Sequence, residues 1–93
     1  MDAATLVTRR PRLVEAEVHG ELMGLDVDAG HCYGFNATAT EVWKLLAEPM
    51  TLDALCTALR ARFDVDAQRC HESVSTLLAR LADEGLVELT RPA

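Results

Sequence analysis

The chain has 93 residues and a mass of 10.2 kDa, enough for one hydrophobic core and no second. Fifteen acids against nine bases leave a net charge of −6, a balance that the phosphate backbone of a nucleic acid repels. No run of eighteen apolar residues exists to span a membrane, and the first residues lack the basic-then-apolar pattern of a signal peptide.

Residues 1–11 read as a flexible N-terminal tail: Thr5-Leu6-Val7-Thr8 has strand character, but Arg9-Arg10-Pro11 interrupts it. With Arg12 these bases form a solvated run. From residue 12 the pattern alternates. Val14, Ala16 and Val18 share one face against Glu15 and Glu17; Met23, Leu25 and Val27 oppose Glu21, Gly24 and Asp26; Tyr33 and Phe35 oppose Cys32 and Gly34. Period two broken at glycines predicts a three-stranded antiparallel meander. A two-residue His19-Gly20 turn pairs Val18 with Glu21 and Val14 with Leu25. A three-residue Asp28-Ala29-Gly30 turn, with Gly30 left-handed, pairs Leu25 with Tyr33, Met23 with Phe35 and Gly24 with Gly34. Both turns put the whole apolar set on one face, the expected core face.

After Phe35 the period becomes 3.6. Asn36 caps a helix to about Ala47 that presents Ala39, Val42, Trp43 and Leu46, and Pro49 ends it. Thr51 caps a second helix bearing Leu52, Leu55, Cys56, Leu59 and Phe63. Asp66 caps a third with Cys70, Val74, Leu77, Leu78 and Leu81 on one stripe. Gly85 stops it, and Leu86–Leu89 is a short apolar coda. The expected fold is α+β: a three-stranded antiparallel sheet followed by three helices, winged-helix-like, over residues 12–89.

Catalytic chemistry is hard to assemble from these residues. The doublets His31-Cys32 and Cys70-His71 lack metal-ligand spacing, since neighbours diverge on a strand and on a helix alike. Three cysteines without a CxxC pair read as reduced thiols of a cytoplasmic protein, with Cys56 and Cys70 as small core residues. No glycine-rich phosphate loop follows a strand. The chain reads as a non-enzyme without cofactor or metal.

The sheet edges say more. Pro11, Arg12, Glu15 and Glu17 guard the first strand, whereas the third, His31-Cys32-Tyr33-Gly34-Phe35, has no proline, lysine or acid. Gly34 allows another backbone to come close. Such an edge accepts an added strand, or is covered by a helix or a dimer mate.

Several stretches resemble the PqqD-like proteins. Phe35-Asn36-Ala37-Thr38-Ala39-Thr40-Glu41-Val42-Trp43 is similar to their approach to the first helix, and Asp26 through Tyr33 to their hairpin. Thr51 through Leu55 is similar to the start of their second helix, and Leu77–Leu81 with Gly85-Leu86-Val87 to their closing segment. The resemblance implies a recognition element for ribosomally made, modified peptides. Such an element takes up a precursor's leader as a fourth strand between strand three and helix three, and presents it to a processing enzyme. By position, His31, Cys32, Tyr33, Gly34 and Phe35 are then the pairing strand, Cys70, Ser73, Val74 and Leu77 the opposite wall, and Arg69 a base at the groove mouth for an acidic leader residue. Arg62-Phe63-Asp64-Val65-Asp66 is most similar to the standalone members of lasso-peptide clusters, whose partner is a leader peptidase. The expected partners are accordingly a leader peptide and a peptidase or other tailoring enzyme.

Three other functions compete. One is a chaperone for a radical-enzyme modification such as pyrroloquinoline quinone synthesis. Another is a winged-helix DNA binder, opposed by a third helix that sets only Arg69 and Arg80 against Asp66, Glu72, Asp83 and Glu84. The last is a scaffold that dimerises through its edges.

Overall fold

The computed structural model describes residues 1–91, and its first strand lies where a tail is expected. In chain order the elements are β1 (Leu6–Arg9), β2 (Val14–Val18), β3 (Glu21–Asp26), β4 (His31–Gly34), α1 (Ala37–Leu45), β5 (Met50–Thr51), α2 (Leu52–Arg62), α3 (Ala67–Asp83) and β6 (Val87–Thr90). They form two three-stranded antiparallel sheets, ordered β2-β3-β4 and β5-β1-β6. The α+β class and the meander-then-helices order stand as expected, and the second sheet is an addition.

That second sheet corrects the reading of residues 1–11 as a tail. β1 is its central strand, with Leu6 opposite both Thr51 and Thr90, and Val7 fully buried. Its partner β6 lies eighty residues away, so no local pattern announces the pairing. The basic run is likewise only partly a solvated surface. The Arg9 guanidinium sits 5.0 Å from the Trp43 ring centroid and donates to the Trp43 carbonyl at 3.0 Å, and Arg12 pairs with Asp26 at 3.2 Å.

The helices begin at the expected caps. Asn36 Oδ1 accepts from the Ala39 N–H at 2.8 Å, Thr51 Oγ1 from Ala54 at 3.1 Å and Asp66 Oδ1 from Arg69 at 2.8 Å. Gly85, at φ +74°, ends α3 in the left-handed conformation. The core gathers Trp43, Leu46, Leu52, Leu55, Leu59 and Leu78 with Val7 and Leu86 from the second sheet. Each buried leucine contributes about 1.5–3 kcal/mol.

In the meander, the β2–β3 hairpin has the expected register, with Val14 opposite Leu25 and Val18 opposite Glu21. The β3–β4 hairpin is shifted by one residue: Asp26 pairs with His31, Leu25 with Cys32, Gly24 with Tyr33 and Met23 with Gly34. Asp26 causes the shift. Its carboxylate accepts from the Ala29 N–H at 3.1 Å, and its carbonyl accepts from the Gly30 N–H at 2.8 Å. The loop therefore closes on Asp26 rather than on Val27.

The shift goes with a larger correction, because β2 and β3 turn the opposite face to the helices. Leu22, Gly24 and Asp26 point inward and are buried, while Val14, Val18, Met23, Leu25 and Val27 are exposed. Two contacts hold this arrangement. Gly24 makes room for Leu13, since a Cβ there would lie 2.6 Å from Leu13 Cδ1. Asp26, 2% exposed, is neutralised by Arg12. Tyr33 and Phe35 keep their inward orientation, and Phe35 packs on Trp43 at 5.4 Å between ring centroids.

Where β3 and β4 part, Thr40 of α1 is inserted into the ladder. The Leu22 N–H donates to Thr40 Oγ1 at 3.0 Å, and that hydroxyl donates to the Phe35 carbonyl at 3.3 Å. The hydroxyl is buried, so Thr40→Val orphans a donor and an acceptor at once. A loss of about 1–3 kcal/mol is expected, read from urea unfolding.

Candidate functional site

β4 ends the meander, paired with β3 on one side and, among the described residues, with no strand on the other. The direction of its backbone groups follows from one bond. The Phe35 N–H donates to the Leu22 carbonyl at 2.9 Å, so Phe35, Tyr33 and His31 turn their backbone groups toward β3. By the alternation of an antiparallel ladder, Cys32 and Gly34 present theirs to the open edge.

Beside that edge runs a trough floored by the core and walled by α3. Its smaller part is a cavity of about 290 Å³ between β4 and the last turns of α3, lined by Tyr33, Gly34, Phe35, Arg80, Leu81 and Glu84 among others. The larger part, about 460 Å³, lies among the start of α1, the end of α2 and α3, with Phe63, Val65, Arg69, Ser73, Val74 and Thr76 in its wall. Asn36, Ala39, Leu77 and Arg80 line both.

Among the residues singled out from the sequence, Tyr33, Gly34 and Phe35 line the smaller cavity, Arg69, Cys70, Ser73 and Val74 the larger, and Leu77 both. His31 and Cys32 line neither. The His31 ring lies 6.2 Å from that of Tyr33, and Cys32 is exposed on the far face of the sheet. Burial sorts these residues further. Phe35, Cys70 and Val74 are at most 5% exposed and belong to the core, whereas Ser73 and Arg69 are exposed and Leu77 is half-buried.

Asn36, Phe63, Val65, Arg80 and Glu84 are trough residues that the sequence reading did not assign to a site. Arg80 had a usable signal, standing seven residues after Ser73 and three after Leu77 on one face of α3. Phe63 and Val65 had none, because the bend between α2 and α3 is what brings them to the cavity.

The charges of α3 are arranged about the trough. Arg69 and Arg80 both line it, so these bases form no separate basic face on the helix. At one end the Tyr33 hydroxyl donates to Glu84 at 3.1 Å, joining β4 to α3. Desolvation, and then the bond to Glu84 and its charge, push the Tyr33 phenol above its usual range, so it stays a donor through neutral pH. On the buried side Cys70 Sγ lies 3.9 Å from the Cys56 carbonyl. Burial, with the neighbouring Cys70, pushes the Cys56 thiol up to about 11 and leaves it a poor nucleophile. Among the described residues no three His, Cys, Asp or Glu side chains cluster as metal ligands, and no helix is long and apolar enough to cross a membrane.

An open strand edge beside an apolar, arginine-flanked trough has the geometry to which an extended peptide can add as a strand. The family profile described as coenzyme PQQ synthesis protein D (PqqD) matches residues 21–87, and the chain belongs to the PqqD family. Two solved structures are similar in fold. One, described as TbiB1 in complex with the TbiA(beta) leader peptide, aligns with a TM-score of 0.79 and 25% identity, over 87% of this chain and 94% of that one. The other, a lasso peptide synthetase B1 complexed with the leader peptide, aligns with a TM-score of 0.73 and 20% identity, over 88% and 96%. No curated protein matches the sequence.

Proposed function

We propose that this chain is a non-catalytic, cytoplasmic adaptor that binds the leader segment of a ribosomally made precursor peptide. The leader adds to β4 as a fourth strand, and its side chains enter the trough along α3. The observation that carries this reading is the free β4 edge, whose outward Cys32 and Gly34 backbone groups lie next to that trough. Family membership supports it, as does the similarity in fold to two proteins described in complex with leader peptides.

The bound leader is delivered to a processing enzyme. On this reading the partner is a leader peptidase of a lasso-peptide pathway, as the resemblance of Arg62-Phe63-Asp64-Val65-Asp66 to the standalone members of lasso-peptide clusters suggests. In this reading Tyr33, Gly34, Ser73, Leu77 and Arg69 face the peptide, and Phe35, Cys70 and Val74 form the floor beneath it. Arg69 and Arg80 suit a leader with an acidic residue between apolar ones.

Calorimetric titration with synthetic leader segments of candidate precursor peptides tests the proposal. One-to-one binding at about micromolar Kd or tighter is expected, with none for a scrambled peptide of equal composition. Equal heats from leader and scrambled peptide overturn it.

A further inference from the structure

Charge is unevenly spread along the trough. The larger part has Arg69 and Arg80 in its lining and no acid, whereas the smaller part sets Asp83 and Glu84 against Arg80. Among the described residues none of these four side chains forms an ion pair. One end of the trough therefore favours an anion, and the other, where two acids outweigh one base, a cation.

Glu84 is the best placed of the acids. It caps the C-terminus of α3, and the Tyr33 hydroxyl holds its carboxylate toward β4 at 3.1 Å. That bond uses one acceptor site of about four on the carboxylate, so further donors can be received. The seventeen-residue α3 ends at the same place, and the negative end of its dipole adds to the attraction for a cation.

Strand register decides which leader residue arrives there. Side chains that stand opposite one another on neighbouring strands share a face. Tyr33 and Phe35 point inward, so the leader residues facing them also point inward, and these are two apart in the leader sequence. The one facing Phe35 lies over the core floor. The one facing Tyr33 enters the smaller cavity, beside Glu84.

We propose that Glu84, positioned by Tyr33, is a specificity-determining residue that selects a Lys or Arg of the leader at the place facing Tyr33. This inference rests on the leader-binding reading and deepens it. The leader is read by charge order, with a base at the Glu84 end and any acid toward Arg69. A peptide laid down in the reverse order sets like charges together at both ends and binds poorly.

The test takes a synthetic leader segment that the unaltered chain binds, and replaces each of its residues in turn with Lys and with Glu. At one position the Lys peptide should bind the unaltered chain more tightly than the Glu peptide, by about fivefold or more in calorimetric Kd. In Glu84→Gln this preference should vanish, and in Glu84→Arg it should invert. Glu84 is exposed and both replacements suit the end of a helix, so the fold is retained. Tyr33→Phe keeps the ring but releases the carboxylate, and the preference should shrink. A merely structural role for Glu84 would weaken the Lys and Glu peptides alike. Absence of any position preferring Lys, or a preference unchanged in Glu84→Gln and Glu84→Arg, overturns the inference and leaves leader binding standing. A panel of segments with no binder to the unaltered chain overturns the leader-binding reading itself, before any variant is made.

Discussion

Gly34→Pro is expected to weaken leader binding at least a hundredfold while leaving the helical circular dichroism and the unfolding midpoint nearly unchanged. The position separates binding from folding because its N–H points to the open edge and takes no part in the β3 ladder. Proline removes that donor, and its ring occupies the space through which an added strand approaches. Inside the protein the substitution meets little: a Cβ at Gly34 finds only Met23 Sδ, at an ordinary 3.8 Å. Tyr33→Pro is the contrasting variant. Its N–H faces β3, so the hairpin itself should be lost. Unchanged affinity in Gly34→Pro, measured by calorimetry, would rule out strand addition at β4.

The second large effect divides the α3 wall into floor and lining. Val74 is 2% exposed, so Val74→Glu places a carboxylate in the core with no partner, at a cost of about 3–5 kcal/mol. That is comparable to the whole stability of many small domains, and the variant should be largely unfolded at 25 °C. Leu77 lies one turn further along and lines both cavities while half-buried. Leu77→Glu should therefore fold and bind leader at least tenfold more weakly, because the charge sits in the trough where an apolar side chain is to dock. Circular dichroism and the same titration check both variants. A folded Val74→Glu protein with intact binding would remove Val74 from the core, and unchanged binding by Leu77→Glu would remove the trough from the site.

The parts of the fold legible in the sequence are those written in local chemistry. Asn36, Thr51 and Asp66 cap their helices by accepting the N–H three residues on, a relation contained within four residues. The first hairpin was equally local: His19-Gly20 and the alternation about it set the register. Long-range or polar decisions were not legible. β1 needs β6 to exist. The β3–β4 register hinges on the Asp26 side chain, which reads as one more solvent-facing acid until Arg12 is brought beneath it. The same pair explains why alternation pointed to the wrong face of β2 and β3. Alternation reports which residues share a side but not which side meets the helices, and here Leu22, Gly24 and Asp26 meet them. The unguarded edge at residues 31–35 was readable from what it lacks, namely proline and charge. The trough was not readable, since three helices converge on it from separate parts of the chain.

The shortness of β4 divides the labour of recognition. The strand has four residues, and past it the Phe35 carbonyl is engaged by the Thr40 hydroxyl, so the ladder closes there. Only Cys32 and Gly34 offer outward backbone groups, and those would serve any extended peptide equally. Discrimination among sequences then falls to the α3 wall, which shares no hydrogen bonds with the strand beyond that between Tyr33 and Glu84. On the proposed reading, client choice is thus separable from strand capture. Exchanging exposed α3 positions such as Arg69 and Ser73 would re-address the adaptor to a different leader while the edge itself stays as it is.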